Sequence, residues 1–357
     1  MATLAEVIGA VEEWFDPRWA ESWDAVGLTC GDPTVDVTQV LLAVDVTPQI
    51  VAEAEAARAE LLFTHHPLLF SAVHGVPVTD PKGAMVHRMI RAGIAHYVAH
   101  TNADVAVPGV SDALAQRLGL TGLRPLEATA EAAPQILVAF LTTDDANPVV
   151  QALVAAGATW VWRTIGVGVT PEQPSEQVPE TRIELAVPSA ELPAVVATLG
   201  GAPFHVQQQV AVRPERGVGR VGELPESMTL RDFTERAART LPATAWGVRA
   251  AGDPYRQVRT VAVCGGSGAA YIAAAHRSGA DAYLTADLKH HATLEAVTER
   301  GMALVEAAHW ATETPWLDVL ATRLRQTFGT TVNVTVSPTV TDPWTLHVPS
   351  PETSSQQ

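Results

Sequence analysis

The chain has 357 residues, enough for about two domains at roughly 100–200 residues each. Its 47% hydrophobic content supports a sizeable buried core. A formal charge of −16, with only two lysines (Lys82 and Lys289), argues against a general nucleic-acid binder, because phosphate contacts need clustered Lys and Arg.

The N-terminus "MATLAEVIGAVEEW" carries acids where a signal peptide needs a basic start, and no run of 18 apolar residues occurs, so a soluble cytoplasmic protein is expected. In chain order, "TQVLLAVD" (38–45) has a buried-strand pattern, and Pro48 suits the first turn of the helix "PQIVAEAEAARA". "ELLFT" (60–64) is a second strand, "PKGAMVHRMIRAG" (81–93) a helix closed by Gly93, and "IAHYVAH" (94–100) a third strand. "VSDALAQRLGL" continues the alternation, which implies a parallel sheet with helical crossovers.

From about residue 124 the texture changes. "PQILVAFLTT", "ANPVVQALVAAGA", "TWVWRTIGVGV", "TRIELAVP", "SAELPAVVATLGG" and "FHVQQQVAV" read as strand–helix–strand twice over, the order of a ferredoxin-like sandwich. The segment "TPEQPSEQVPE" (170–180) reads as an exposed or disordered loop.

After "GVGRVGELPESMTL" the alternation returns. "VRTVAVCGGSG" (258–268), "DAYLTAD" (281–287) and "MALVEAAH" (302–309) are strands, each followed by a helix. The last of these helices is "TPWLDVLATRLRQTFG", with Pro315 near its start, and "TVNVTVS" closes the sheet. "RAGIAHYVAHTNAD" (91–104) resembles "ERGMALVEAAHWATE" (299–313), and "LLFTHH" (61–66) resembles "AYLTAD" (282–287). The expected architecture is α/β: a discontinuous core of two pseudo-repeated βαβ halves (1–124 and 216–348), an inserted ferredoxin-like α+β domain (125–215) and a disordered tail (349–357).

Functional sites in open α/β sheets form outside the carboxyl ends of the strands. The residues emerging there are His65, His66, His100, Asp104, Asp287, His309 and Glu313. His100/Asp104 and His309/Glu313 share the spacing His-x-x-x-acid, which puts both members of each pair on one face of a helical turn. Mixed imidazole and carboxylate donors without thiolate suit Zn, Mn, Fe, Co or Ni. Their number exceeds what one catalytic ion uses, so two divalent transition-metal ions sharing a carboxylate fit better. Cys30 and Cys264 read as ordinary buried thiols. "CGGSGAA" (264–270) follows a strand and offers either a backbone cradle for a phosphate or a plain tight turn. "DLKHH" places Asp287, Lys289, His290 and His291 near the same edge as proton donors or supporting partners, or as a polar helix start.

"THHPLLF", "AHTNADVA", "GVGRVGEL", "TADLKHH", "AAHWATE" and "WDAVGLTCGD" (23–32) together resemble the NIF-three-like family, whose members are commonly named GTP cyclohydrolase 1 type 2 homologues. Ala286 departs from the glycine usual in the family's "TGD". The resemblance implies a toroidal homohexamer with a dinuclear metal centre in each subunit. The ligands it implies are His65, His66, Asp104, His309 and Glu313, with Glu313 as the bridge. It further implies hydrolytic opening of a guanine nucleotide ring by a metal-activated hydroxide, with His100, Asp287 or His291 shuttling protons. Rival readings are another dinuclear phosphatase or phosphodiesterase, and a non-enzymatic metal-binding or regulatory hexamer.

Overall fold

Three strands with almost entirely buried runs, Gln39–Ala43, Leu61–Thr64 and Ala95–Val98, line up in parallel around the first candidate ligands, with the more exposed Asn333–Val336 parallel beside them. In the computed structural model, which describes residues 2–132, 135–142, 146–169, 177–188, 191–207 and 210–349, a five-stranded sheet runs Asn333–Val336, Gln39–Ala43, Leu61–Thr64, Ala95–Val98, Gly27–Cys30. The first four are mutually parallel and Gly27–Cys30 is an antiparallel edge. Leu61–Thr64 is buried at every position, as a strand covered on both faces must be.

A six-stranded sheet runs Val248–Ala251, Ala303–Ala307, Ala282–Ala286, Gln257–Ser267, Val210–Thr229, Thr121–Ala132. Its three central strands, Ala303–Ala307, Ala282–Ala286 and Gln257–Ser267, are parallel, and Val248–Ala251 and Val210–Thr229 flank them antiparallel. Both sheets are therefore mixed where the alternation alone suggested purely parallel pairing. The 20-residue strand Val210–Thr229 contains "GVGRVGELPES", which has too few β-branched residues to read as a strand. Glycine is needed there for close approach: a Cβ at Gly217 would stand 2.0 Å from the Glu127 carbonyl oxygen, and one at Gly219 would stand 2.8 Å from that of Val263.

The helix His309–Phe328 touches strands of both sheets and carries Trp316, Leu317, Leu320, Ala321 and Leu324 into the larger core. It starts five residues before Thr314, where the sequence reading began it, so Pro315 lies in its interior rather than its first turn. Tertiary packing overrides the proline signal: Trp310, Ala311 and Thr312 are buried, and Thr312 Oγ1 accepts the Gly266 N–H at 2.9 Å. That early start puts His309 and Glu313 on one helical face.

Ala130–Arg213 forms a separate compact unit. Its sheet is antiparallel, ordered Phe204–Gln207, Gln135–Thr142, Gln177–Val187, Trp160–Val169, with helices Ala146–Ala155 and Leu192–Thr198. Residues 177–180, read from the sequence as loop, belong to the third of these strands, while 170–176 lie outside the described residues. "FHVQQQVAV" divides between two sheets. Of the tail 349–357, residues 350–357 lie outside the described residues. No described helix is long and apolar enough to cross a membrane.

Candidate metal centre

His65 and His66 follow directly on the buried strand Leu61–Thr64, and their N–H groups still donate to the end of the adjacent strand, at Ala43 O (3.2 Å) and Val44 O (2.8 Å). Extended backbone sends adjacent side chains apart, yet both rings remain at the strand end because Thr64 Oγ1 donates to His66 O at 2.8 Å and closes the turn. His100 ends the next strand. Its N–H donates to Asn102 Oδ1 at 2.9 Å, and the short helix Thr101–Val105 then brings Asp104 alongside. His309 and Glu313 come from the helix between the sheets.

Each of these four imidazoles has its Nδ1 engaged by an acceptor. His65 Nδ1 meets Ala99 O at 2.9 Å, His66 Nδ1 meets Asp45 Oδ1 at 2.7 Å, His100 Nδ1 meets Asp24 Oδ1 at 2.8 Å, and His309 Nδ1 meets Asp287 Oδ2 at 2.6 Å. A carbonyl or an ionised carboxylate can only accept, so a proton sits on each Nδ1 and Nε2 is the ring nitrogen left to face the cluster. Carboxylate or carbonyl support behind the ring is how histidine is oriented towards a metal.

The ligand atoms of His65, His66 and His100 lie within 4.8 Å of one another, as do those of His66, His309 and Glu313. Glu313 sits among three rings: Oε1 is 3.0 Å from His309 Nε2 and 3.5 Å from His65 Nε2, and Oε2 is 3.1 Å from His66 Nε2. Asp104 Oδ1 is 3.7 Å from His65 Nε2. Two donors about 2.0–2.1 Å from one ion, at angles between square and tetrahedral, stand about 2.8–3.5 Å apart, which matches the three Glu313 contacts. His65 Nε2 is buried without a hydrogen-bond partner, a costly state for a polar atom unless something else satisfies it. The donor set fits a divalent transition metal.

The charge state without metal follows from the same crowding. For Glu313, burial opposes ionisation, but His309, His66 and His65 outweigh it and hold the carboxyl well below its usual range. His309 is pushed up to about 11, first by Glu313 and then, against burial, by Asp287. For His66 burial is the largest influence and lowers the value, yet Glu313 and Asp45 together raise it to about 10. Burial lifts the Asp104 carboxyl, while the neighbouring His65 pulls the other way. Burial would also lift Asp24, but hydrogen bonds from His100 and Thr101 depress it.

Two proton-coupled results follow. A divalent ion needs the Nε2 lone pairs that hold protons on His66 and His309, so metal uptake near pH 7 is expected to release about two protons, falling to none as pH passes about 11. The check is isothermal titration in buffers of different ionisation enthalpy; a buffer-independent enthalpy would refute it. Because both folded-state values are raised, the stability that these protons add to the metal-free protein is complete below about 6.5 and disappears as pH rises through about 10–11.

Asp45 and Asp24 are absent from the sequence-derived site. Asp45 lies at the carboxyl end of "TQVLLAVD", and Asp24 in "WDAVGLTCGD"; strand-end position is the available signal for the first. Asp45 is also gripped by Thr341 Oγ1 from the C-terminal segment, whose Ser337 and Thr339 hydroxyls donate to Glu53. Asp45→Ala is expected to free the His66 ring and weaken metal retention about 10–100-fold, with the fold intact because the side chain is partly exposed. Competition with a chromophoric chelator measures this, and unchanged retention would rule out the support role.

The structure brings His65, His66, His100, Asp104, His309 and Glu313 together. Asp287 stands behind His309 and orients it from a left-handed backbone position (φ 55°), rather than facing the open side of the cluster. His291 is exposed on the helix His290–Thr298, its ring against His290, and does not line the cavities beside the cluster. Two of the N–H groups in "CGGSGAA" are already spent: Gly265 N–H goes to Ser111 Oγ (3.2 Å) and Gly266 N–H to Thr312 Oγ1. Gly266 is needed for space, since a Cβ there would stand 2.4 Å from Glu313 Oε1.

Residues 2–343 match the family model Duf34/NIF3 (NGG1p interacting factor 3). The chain is 40% identical to the GTP cyclohydrolase 1 type 2 homolog of Mycobacterium tuberculosis, with 96% of this chain and 97% of the relative covered, and 39% identical to the protein of that name from Streptomyces coelicolor, with 99% and 98% covered. Among solved structures it is similar to a Bacillus cereus protein related to NIF3 (TM-score 0.71, 31% identity, 97% of this chain and 99% of that one). A Staphylococcus aureus protein gives a TM-score of 0.78 at 26% identity over 97% and 99%. With a family match along almost the whole sequence and relatives at this identity, the chain belongs to the DUF34/NIF3 family.

Proposed function

We propose that the cluster is a dinuclear centre for divalent transition-metal ions and that the protein is a metal-dependent hydrolase. The carrying observation is that four imidazoles have Nδ1 held by an acceptor, and three of them, His65, His66 and His309, turn Nε2 to Glu313. The contacts support one position that His65, Asp104 and Glu313 would hold and another that His66, His309 and Glu313 would hold, with Glu313 common to both. Bound there, such ions supply an activated water and stabilise charge on the group under attack. His100, with Nδ1–H on Asp24 and its ring beside His65 and His66, is the base that takes or returns a proton.

The names of the relatives support hydrolytic opening of a guanine ring as the reaction. The family resemblance supports a cytoplasmic homohexamer. The matched parallel pairs Leu61–Thr64/Ala95–Val98 and Ala282–Ala286/Ala303–Ala307 support a core of two pseudo-repeated halves. A βαββαβ order with the fourth, first, third and second strands side by side supports a ferredoxin-like insert.

The test is elemental analysis of protein purified without added metal or chelator, beside a His65→Ala/His309→Ala variant, followed by assay of GTP for formate release. About two ions per chain in the wild type alone, with formate released, is the expected result. Metal with phosphate released from esters would favour a phosphoesterase, and metal without any turnover a metal-binding or regulatory hexamer. No metal in either protein would sink the centre.

A further inference from the structure

A cavity of about 580 Å³ opens directly onto the cluster, reaching His66, His100, Asp104, His309 and Glu313. Its rim carries two large aromatic side chains that the core does not use. Trp23 is 56% exposed and Phe70 48% exposed, with ring centroids 5.6 Å apart. Both pack edge-on to His100, at 6.2 and 6.3 Å, so they are fixed to the proposed catalytic histidine. The two rings are tilted 46° to each other, and their exposed parts form an aromatic shelf at the rim. Tyr271 lines the same cavity.

Outside the cluster itself the charged lining of this cavity is acidic: Glu21 stands there, and no Lys or Arg does among the described residues. The N–H groups of Gly265 and Gly266, which line the cavity, are already taken by Ser111 and Thr312. In the adjoining cavity Arg249 is paired with Glu306 at 2.6 Å. Bound metal ions would serve one phosphoryl group, but the rest of a triphosphate would meet Glu21 and no cationic side chain among the described lining residues. An aromatic shelf, by contrast, gains from any planar ring, and Glu21 adds an acceptor for ring N–H groups.

We propose that this cavity is the subsite for a planar heteroaromatic ring bearing N–H donors and lacking a phosphate chain, of the nucleobase or nucleoside class, stacked on Trp23 and Phe70. This names the substrate class for the metal-centre reading above and rests on it. The ring lies on the shelf with one edge towards Glu21 and its reacting carbon towards His100 and Glu313. A nucleotide enters only as far as its base, with its phosphates outside.

The test is isothermal titration of the full chain, of known metal content, with guanosine, GTP and tripolyphosphate. Guanosine is expected to bind as well as GTP, with no competition from tripolyphosphate. Trp23→Ala and, separately, Phe70→Leu are expected to weaken guanosine, by about tenfold for the first, with metal content unchanged. GTP binding more than about tenfold tighter than guanosine, with tripolyphosphate competing, would overturn the proposal. So would no ring binding by fully metal-loaded protein, which would leave the metal centre standing. Ring binding that survives metal removal and depends on Trp23 supports the shelf even if the metal reading falls. A changed assembly state in Trp23→Ala with guanosine affinity intact would overturn it in favour of an interface.

Discussion

Glu313→Ala is expected to abolish metal retention, lowering affinity by more than about 100-fold, beyond the range for losing a supporting partner. Its carboxylate is 4% exposed and is the one acidic group in contact with His65, His66 and His309 together. Helical spacing from His309 places it there, and the absent Cβ of Gly266 makes the room. Glu313→Gln separates charge from shape. The amide keeps the volume but cannot balance two imidazolium rings, so in metal-free protein His66 and His309 should titrate far below their values of about 10 and about 11. Histidine NMR titration reads this directly, and elemental analysis reads the metal. Full metal content in Glu313→Ala would remove Glu313 from the centre.

Arg220→Ala is expected to cost about 3–5 kcal/mol of folding free energy, the range for breaking one partner of a buried ion pair. The guanidinium is 2% exposed. Nε and Nη2 donate to Asp112 at 2.7 and 2.6 Å, Nη1 to Gly217 O and Gly219 O at 2.7 Å each, and Nη2 also to Ala106 O at 2.6 Å. Residues 106–112 and 217–220 are thereby clamped together across the intervening stretch of chain. Removing the arginine strands the Asp112 carboxylate, 8% exposed, and leaves three carbonyls without this donor. Arg220→Lys should recover little, because one ammonium cannot reproduce the fork. Arg220→Met with Asp112→Leu should recover most of the loss, since no charge is left buried. Urea unfolding followed on the transition of the larger unit measures all three; a single variant within about 0.5 kcal/mol of wild type, the range of an ordinary surface substitution, would show that the clamp is dispensable.

Much of the candidate site was legible without coordinates because its signals are local. An apolar run that ends in His65-His66-Pro67 marks a strand terminus, and a His-x-x-x-acid spacing marks one helical face; both follow from the backbone's own period. Those two rules point to His65, His66, His100, Asp104, His309 and Glu313, while the narrower ligand set of His65, His66, Asp104, His309 and Glu313 is what the family resemblance implies. The same locality misled at Pro315, which reads as a helix start, and at "GVGRVGELPES", whose glycines hide a strand that needs them for close packing.

What only the tertiary structure decided is which acceptor stands behind each ring and which donors are already spent. His100 meets Asp24 from 76 residues away, His66 meets Asp45 from 21, and Arg220 meets Asp112 from 108. No period in the sequence relates such positions. They meet because separate strands and one helix bring their ends to a common point, and a hydrogen bond 2.7 Å long is settled by that packing alone. The sequence by itself determined where each ligand leaves its element; the packing of the two sheets around the helix His309–Phe328 determined the tautomer, the charge and the open side of the site.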